Sequence, residues 1–168
     1  MSEWHGVAPI TSACYIRAML KYLDIPPVWL CAALLLAWVQ KSHFSYNLSF
    51  GPVWADLLGG LLVGAGFVLI ALAAYEFRRH RTTIIPHQTA SHLITSGVFS
   101  RSRNPIYLAD SLILAGMILY WDAVLSLPLI PIFVWWIEKH FIIEEEKRLR
   151  RNFRAHFARY EKQTRRWL

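Results

Sequence analysis

Two short stretches carry side chains that could do chemistry together. Arg103-Asn104-Pro105-Ile106-Tyr107 closes a polar segment and opens an apolar one, and Glu145-Glu146-Lys147-Arg148-Leu149 follows the end of the next apolar run. Pro105 suits the first turn of a helix. That turn leaves free backbone N–H groups and partial positive charge, which favour a carboxylate. Tyr107, one turn in, could present its ring or hydroxyl to a heteroaromatic ligand. Glu145 or Glu146 could pair with an ammonium group. Together these groups fit an amino-acid-like zwitterion attached to an aromatic base. The preceding loop adds Gly97, where a tight backbone turn could aim amides at a ligand. A plainer reading makes Arg103-Asn104-Pro105 an interfacial anchor and Glu144–Glu146 the solvated acidic start of a tail helix. The residues alone leave both open.

Other candidates are weaker. Asp110 is a carboxylate inside an apolar run, where an ionisable group is a functional candidate by default, though the nearby helix start offers it a stabilising role without chemistry. Glu138 is similar, with Lys139 or a loop Arg as its expected partner. His80, His87 and His92 are spaced seven and five apart, repeat no helical face and have no Cys or carboxylate placed with them, so no metal site is expected. Cys14 and Cys31 form no metal or redox spacing, and Cys31 reads as a buried, inert thiol in an apolar run.

The elements that must position these groups are membrane spans. The 168 residues are 55% hydrophobic and 17% charged, against roughly 45–50% and about 25% in soluble domains. The chain is expected to be a single all-α integral membrane domain, 1–168, with about four transmembrane helices at 26–40, 53–77, 106–121 and 123–143. A loop over 78–104 and a tail helix over 144–168 would form the cofactor site. Val53–Phe77 is the clearest span. Gly60 and Gly64 in it have the spacing that lets helix backbones approach closely. In the fourth, Pro128 and Pro131 can bend the helix near its start. Within Ala13–Leu23, Arg17 and Lys21 share one face of an expected interfacial helix. In the tail, Glu144/Arg148 and Glu146/Arg150 have favourable i,i+4 polarity. The net charge of +7 concentrates in Arg78–Arg103 and Lys147–Arg166. Beside apolar spans such clusters face anionic lipid headgroups rather than nucleic acid, which places both termini and the site in the cytoplasm.

These residues carry a family resemblance. The chain resembles bacterial members of the isoprenylcysteine carboxyl methyltransferase family, which forms a superfamily with the phospholipid methyltransferases. The likeness runs from about Pro26 to the C-terminus. It rests on Phe77-Arg78-Arg79, Thr82-Thr83, Leu93–Phe99, Arg103–Leu108, Glu145-Glu146-x-x-Leu149, Phe153, Tyr160 and Arg165-Arg166-Trp167. It implies an S-adenosylmethionine site at the cytoplasmic end of the hairpin, held by Leu93, Thr95, Gly97, Val98, Arg103, Asn104, Tyr107, Glu145 and Glu146. The chain departs from the family in three places. Asn104 stands where the isoprenylcysteine enzymes usually have His. The usual Phe-Gly-x-x-Tyr reads Phe153-Arg154-Ala155-His156-Phe157. Gln163 stands where the tail often has Arg, at a position associated with the acceptor's carboxylate.

The expected reaction is an in-line methyl transfer in which the protein aligns donor and acceptor and excludes water. The resemblance implies carboxyl O-methylation of an isoprenylcysteine-like amphiphile entering from the bilayer, in a bacterial inner membrane. A carboxylate acceptor needs a cation, for which Arg103 is a candidate. An amine acceptor, as in phospholipid N-methylation, needs a base, and Glu145 or Asp110 could serve. Two other classes stay in view: a membrane reductase of sterol-reductase type, for which no dinucleotide fingerprint is present, and a non-enzymatic lipid-binding protein. Membrane lipids are the expected partners, and the sequence carries no sign of oligomeric state.

Overall fold

The computed structural model describes residues 24–44, 48–80 and 93–168. The expected interfacial helix in Ala13–Leu23 and the loop positions Thr82, Thr83, Pro86, His87 and His92 lie outside them. The regular elements among the described residues are all helices, with no strand among them.

Prolines start three of the helices: α1 (Pro26–His43), α2 (Pro52–Arg79) and α3 (Pro105–Tyr120). Each sits where its missing N–H costs nothing and its fixed φ suits the first turn. A short 3-10 turn, Val124–Ser126, leads into α4 (Leu129–Ile137). A π-helical turn, Glu138–Ile142, then joins α4 to α5 (Ile143–Gln163). The helix that carries the fourth apolar run therefore continues without a break into the charged tail helix. Val53–Arg79 and the run Val124–Gln163 are long and apolar enough to cross a membrane, and Pro105–Tyr120 is a shorter apolar helix. Much of α2 presents bare apolar surface, including Leu57, Leu61, Phe67 and Val68. Such a band is unusual for a soluble monomer and ordinary for a lipid-facing helix.

Helices α2 and α3 pack most closely, through glycines. A methyl group on Gly59 would sit 2.7 Å from the Gly116 carbonyl oxygen, and one on Gly66 would sit 2.9 Å from that of Ala109. Gly60 and Gly64 face open space instead. The close approach expected of that pair thus belongs to its neighbours, because Gly116 on α3 selects which face of α2 can come near. The opposite face of α3, with Leu114 and Ile118, packs on Ala33 and Ala37 of α1 and on Phe133, Ile137, Phe141 and Ile142.

At the end away from the basic clusters, Asp122 ties the connections together. It takes a positive φ of 55°, which Asp tolerates better than most residues. Its carboxylate accepts the Phe50 N–H at 2.7 Å and pairs with Lys41 at 3.3 Å. The Phe50 N–H, with help from Lys41, holds this carboxyl below its usual range.

Candidate functional site

The basic end of the bundle is built from three segments: the stretch before α3, the start of α5, and the chain terminus, which folds back between them. The first is anchored on α2. Gly97 adopts φ +57°, and its Cα lies against the Glu76 carboxylate so closely that a side chain there would overlap it. Glu76 is buried and accepts the Ser96 hydroxyl at 2.6 Å. His80 lies 3.4 Å from the same carboxylate and 2.9 Å from Ser96 Oγ. Phe99 packs edge-on against Phe77, with Ile94 and Ala73 beside it. Gly97 and Val98 are thereby seated on the end of α2. Glu76 is a residue that the motif reading did not single out. The signal that could have found it is Arg79 and His80, three and four residues on, which share its helical face.

Arg103 and Glu146 meet, but in an ionic network. Arg103 Nη1 lies 2.9 Å from Glu161 and 3.3 Å from Glu146. Its Nε is buried without a hydrogen-bond partner. Arg166 makes a two-pronged contact with Glu146, Nε to Oε1 at 3.1 Å and Nη2 to Oε2 at 2.8 Å. Its third nitrogen reaches Glu138 at 2.6 Å, and the Trp167 indole donates to that carboxylate at 3.2 Å. Glu138 therefore pairs with the tail, where Lys139 or a loop Arg was expected. The expected Glu146/Arg150 pair does not form either, and Arg150 bonds Glu161 at 2.7 Å. The π turn explains part of this. Eight residues of regular helix overshoot two full turns by about 80°, while absorbing one residue in a π turn leaves roughly 20°. Glu138 and Glu146 can then face one guanidinium.

Backbone contacts complete the fold-back. Asn104 is buried, and its amide donates to the Arg166 carbonyl at 3.1 Å. The Arg103 N–H donates to Arg165, and the Tyr160 hydroxyl donates to Phe99 at 2.6 Å. Burial pushes the Tyr160 phenol above its usual range. Arg165-Arg166-Trp167 was part of the resemblance, but the return of the tail onto Asn104 depends on a turn that spacing does not reveal.

Tyr107 and Glu145 form the remaining contact between the two stretches, the hydroxyl donating to Oε2 at 3.0 Å. Glu145 is open to solvent on one side and crowded on the others. That crowding raises its carboxyl pKa, against the pull of Tyr107 and Arg148. The open side limits the rise. Leu93 and Thr95 lie apart from this pair. They line a groove of about 400 Å³ with Phe153, His156, Arg159, Tyr160 and Gln163. The nine expected binding residues thus fall into four places: Gly97 and Val98 on α2, Arg103, Asn104 and Glu146 in the tail network, Tyr107 with Glu145, and Leu93 with Thr95 in the groove.

The groove lies beside a bend in α5. Arg154 has φ 38° and ψ −107°, far from helical values. A glycine takes such a conformation at little cost, whereas a side chain there is strained by roughly 1–3 kcal/mol. Arg154 occupies the glycine position of the Phe-Gly-x-x-Tyr pattern. Arg154→Gly is expected to raise stability by about 1 kcal/mol, read as a higher unfolding midpoint in detergent. A lower midpoint would count against the bend.

No curated protein and no solved structure matches the chain. A family model described as phospholipid methyltransferase matches residues 54–156, from the start of α2 past Glu145 and Glu146 of α5. That stretch is more than half of the 168 residues and holds both the Arg103–Tyr107 and the Glu145–Glu146 stretches, so the chain belongs to the phospholipid methyltransferase family.

Proposed function

We propose that the protein transfers a methyl group from S-adenosylmethionine to the polar end of an amphiphilic acceptor at the membrane surface. The observation that carries this reading is the Tyr107–Glu145 hydrogen bond, which joins the two polar stretches across the hairpin at 3.0 Å. Family membership supports methyl transfer as the reaction. The residues fit the donor in kind. Glu145 offers an accessible carboxylate for an ammonium group, Tyr107 offers a ring, and the groove beside Leu93 and Thr95 has the volume of a small-molecule site. S-adenosylmethionine supplies an activated methyl group on a sulfonium. The chain has to bind and orient the reactants and keep water out. We place the site on the cytoplasmic face of a four-span protein in a bacterial inner membrane, with the Arg-rich segments inside.

The motif resemblance supports an isoprenylcysteine-like carboxylate as acceptor, with Arg103 as its cation and Glu145 beside it. A second reading, N-methylation of a lipid amine, draws on a specific observation. Arg103 is only 12% exposed and already lies between Glu146 and Glu161, whereas Glu145 remains accessible.

Calorimetry with S-adenosylmethionine tests the site. Tyr107→Phe and Glu145→Ala are each expected to weaken binding by about tenfold or more, the loss of one charge-assisted contact. Unchanged affinity in both, or no binding by the parent, would sink the assignment. Incubation with labelled donor and either a prenylcysteine or a phosphatidylethanolamine vesicle identifies the acceptor by which product carries label.

A further inference from the structure

The groove beside Leu93 and Thr95 has a second wall, which comes from α5 and holds none of the expected donor residues. Past the bend at Arg154, α5 turns His156, Arg159, Tyr160 and Gln163 toward it. Offsets of three, four and seven put these four on one helical face. The face is pinned against the loop. Phe157 is buried beneath it, and the Tyr160 hydroxyl donates to the Phe99 carbonyl at 2.6 Å.

The lining is one-sided in charge. Among the described residues no carboxylate lines the groove. The side chains of Thr95, His156, Arg159 and Gln163 have no hydrogen-bond or ion-pair partner among the described residues. Glu161, two residues after Arg159, is already held by Arg103 at 2.9 Å and Arg150 at 2.7 Å. From Lys147 to Arg166 the chain carries nine Lys or Arg against that single acid. Cations crowded in this way repel one another and draw anions to the surface between them. Arg159 brings a planar fork of donors, and His156, Gln163 and Thr95 add a ring nitrogen, an amide and a hydroxyl. A phosphate monoester offers three strong acceptor oxygens and about −1.5 to −2 of charge near neutral pH, more on both counts than a carboxylate. Leu93 and Phe153 supply apolar surface for the body that carries it.

We infer that this groove is a phosphate-monoester site, with Arg159 as its cation and His156, Gln163 and Thr95 as its further polar partners. The headgroup of an acidic lipid and a free phosphate share that chemistry. An occupant bridges α5 to the segment that leads into Gly97 and Val98, so it braces the loop without taking part in methyl transfer. The site holds whether or not the chain is a methyltransferase.

Calorimetry on the full-length protein in phosphatidylcholine nanodiscs tests it. Inorganic phosphate and dihexanoyl phosphatidic acid are titrated separately, with dihexanoyl phosphatidylcholine as the same body with its phosphate capped. The parent is expected to bind at least one of the first two and not the third. Tighter binding of phosphatidic acid assigns the site to a lipid headgroup, and equal or tighter binding of inorganic phosphate assigns it to a soluble anion. Arg159→Gln is expected to weaken binding about tenfold or more, and Arg159→Lys to fall between the two. Arg159 is exposed, so the exchange does not put the fold at stake. Lys162→Gln removes the same charge from the same helix but outside the groove lining, and should leave affinity within about twofold because solvent screens it. Four results overturn the inference: no binding of either anion by the parent, equal binding of the capped lipid, undiminished binding by Arg159→Gln, or equal losses in Arg159→Gln and Lys162→Gln.

Discussion

Arg166→Ala is expected to cost about 3 kcal/mol of stability and to free the terminus from the site. Arg166 holds three contacts at once, two on Glu146 and one on Glu138. The Glu146 side chain is 8% exposed, so removing its partner leaves a carboxylate with little water to replace it. Breaking a fully buried pair costs about 3–5 kcal/mol. Arg166 and Glu138 are about one-third and one-quarter open, at 33% and 28%, and solvent discounts their share. Arg103 stays within 3.3 Å of Glu146 and offsets part of the loss. The contacts that Asn104 and Arg103 make to the tail backbone should loosen with it. The expected readouts are a lower unfolding midpoint in detergent and faster proteolysis near the C-terminus. Arg166→Lys should fall between, because an ammonium cannot form the two-pronged contact. A combined Arg166→Met and Glu146→Leu exchange should recover stability over Arg166→Ala, since it removes the stranded charge. An Arg166→Ala protein that melts with the parent would show that the network is ornamental.

What was legible in the sequence follows from how local each cause is. Pro105 reads as the first turn of a helix, and the structure begins a helix there, as it does at Pro26 and Pro52. The meeting of Tyr107 with Glu145 followed from one hairpin bringing two polar ends to the same side. Gly60 and Gly64 show where this stops. Four glycines lie along α2, and spacing alone cannot say which pair meets a neighbour. That choice belongs to Gly116, far along the chain. That Glu138 and Glu146 share one guanidinium is hidden for a related reason. Helical spacing assumes an unbroken register, and the π turn shifts it between them. The bend at Arg154 was hidden because its residue type argues against the conformation it adopts. The family's glycine at that position was the available sign, and it read as a departure rather than as a turn.

Gly97→Ala is expected to dislodge the loop at 93–100 and weaken donor binding about tenfold or more, in proportion to the lost positioning of the site. Two costs add. A non-glycine residue at φ +57° is strained by about 1–2 kcal/mol. The new methyl would also overlap the Glu76 carboxylate. Glu76 cannot retreat freely, being 5% exposed and bound to Ser96. Breaking that bond while the carboxylate stays buried adds roughly 1–3 kcal/mol. The two causes separate in a double-mutant cycle. Glu76→Ala alone should destabilise the loop by removing the acceptor for Ser96. In that background, Gly97→Ala should lose its steric cost and keep only the conformational one. Hydrogen exchange over 93–100 is the direct measurement, with faster exchange expected in Gly97→Ala while α2 and α3 stay protected. Equal Gly97→Ala effects with and without Glu76 would mean that the positive φ alone requires glycine. No effect in either background would mean that the loop does not rest on α2 at all. The contact with Glu76 gives Gly97 a role distinct from amide donation to a ligand: it lets the loop carrying Leu93, Thr95 and Val98 lie flat on a buried carboxylate, and so fixes the height of the groove.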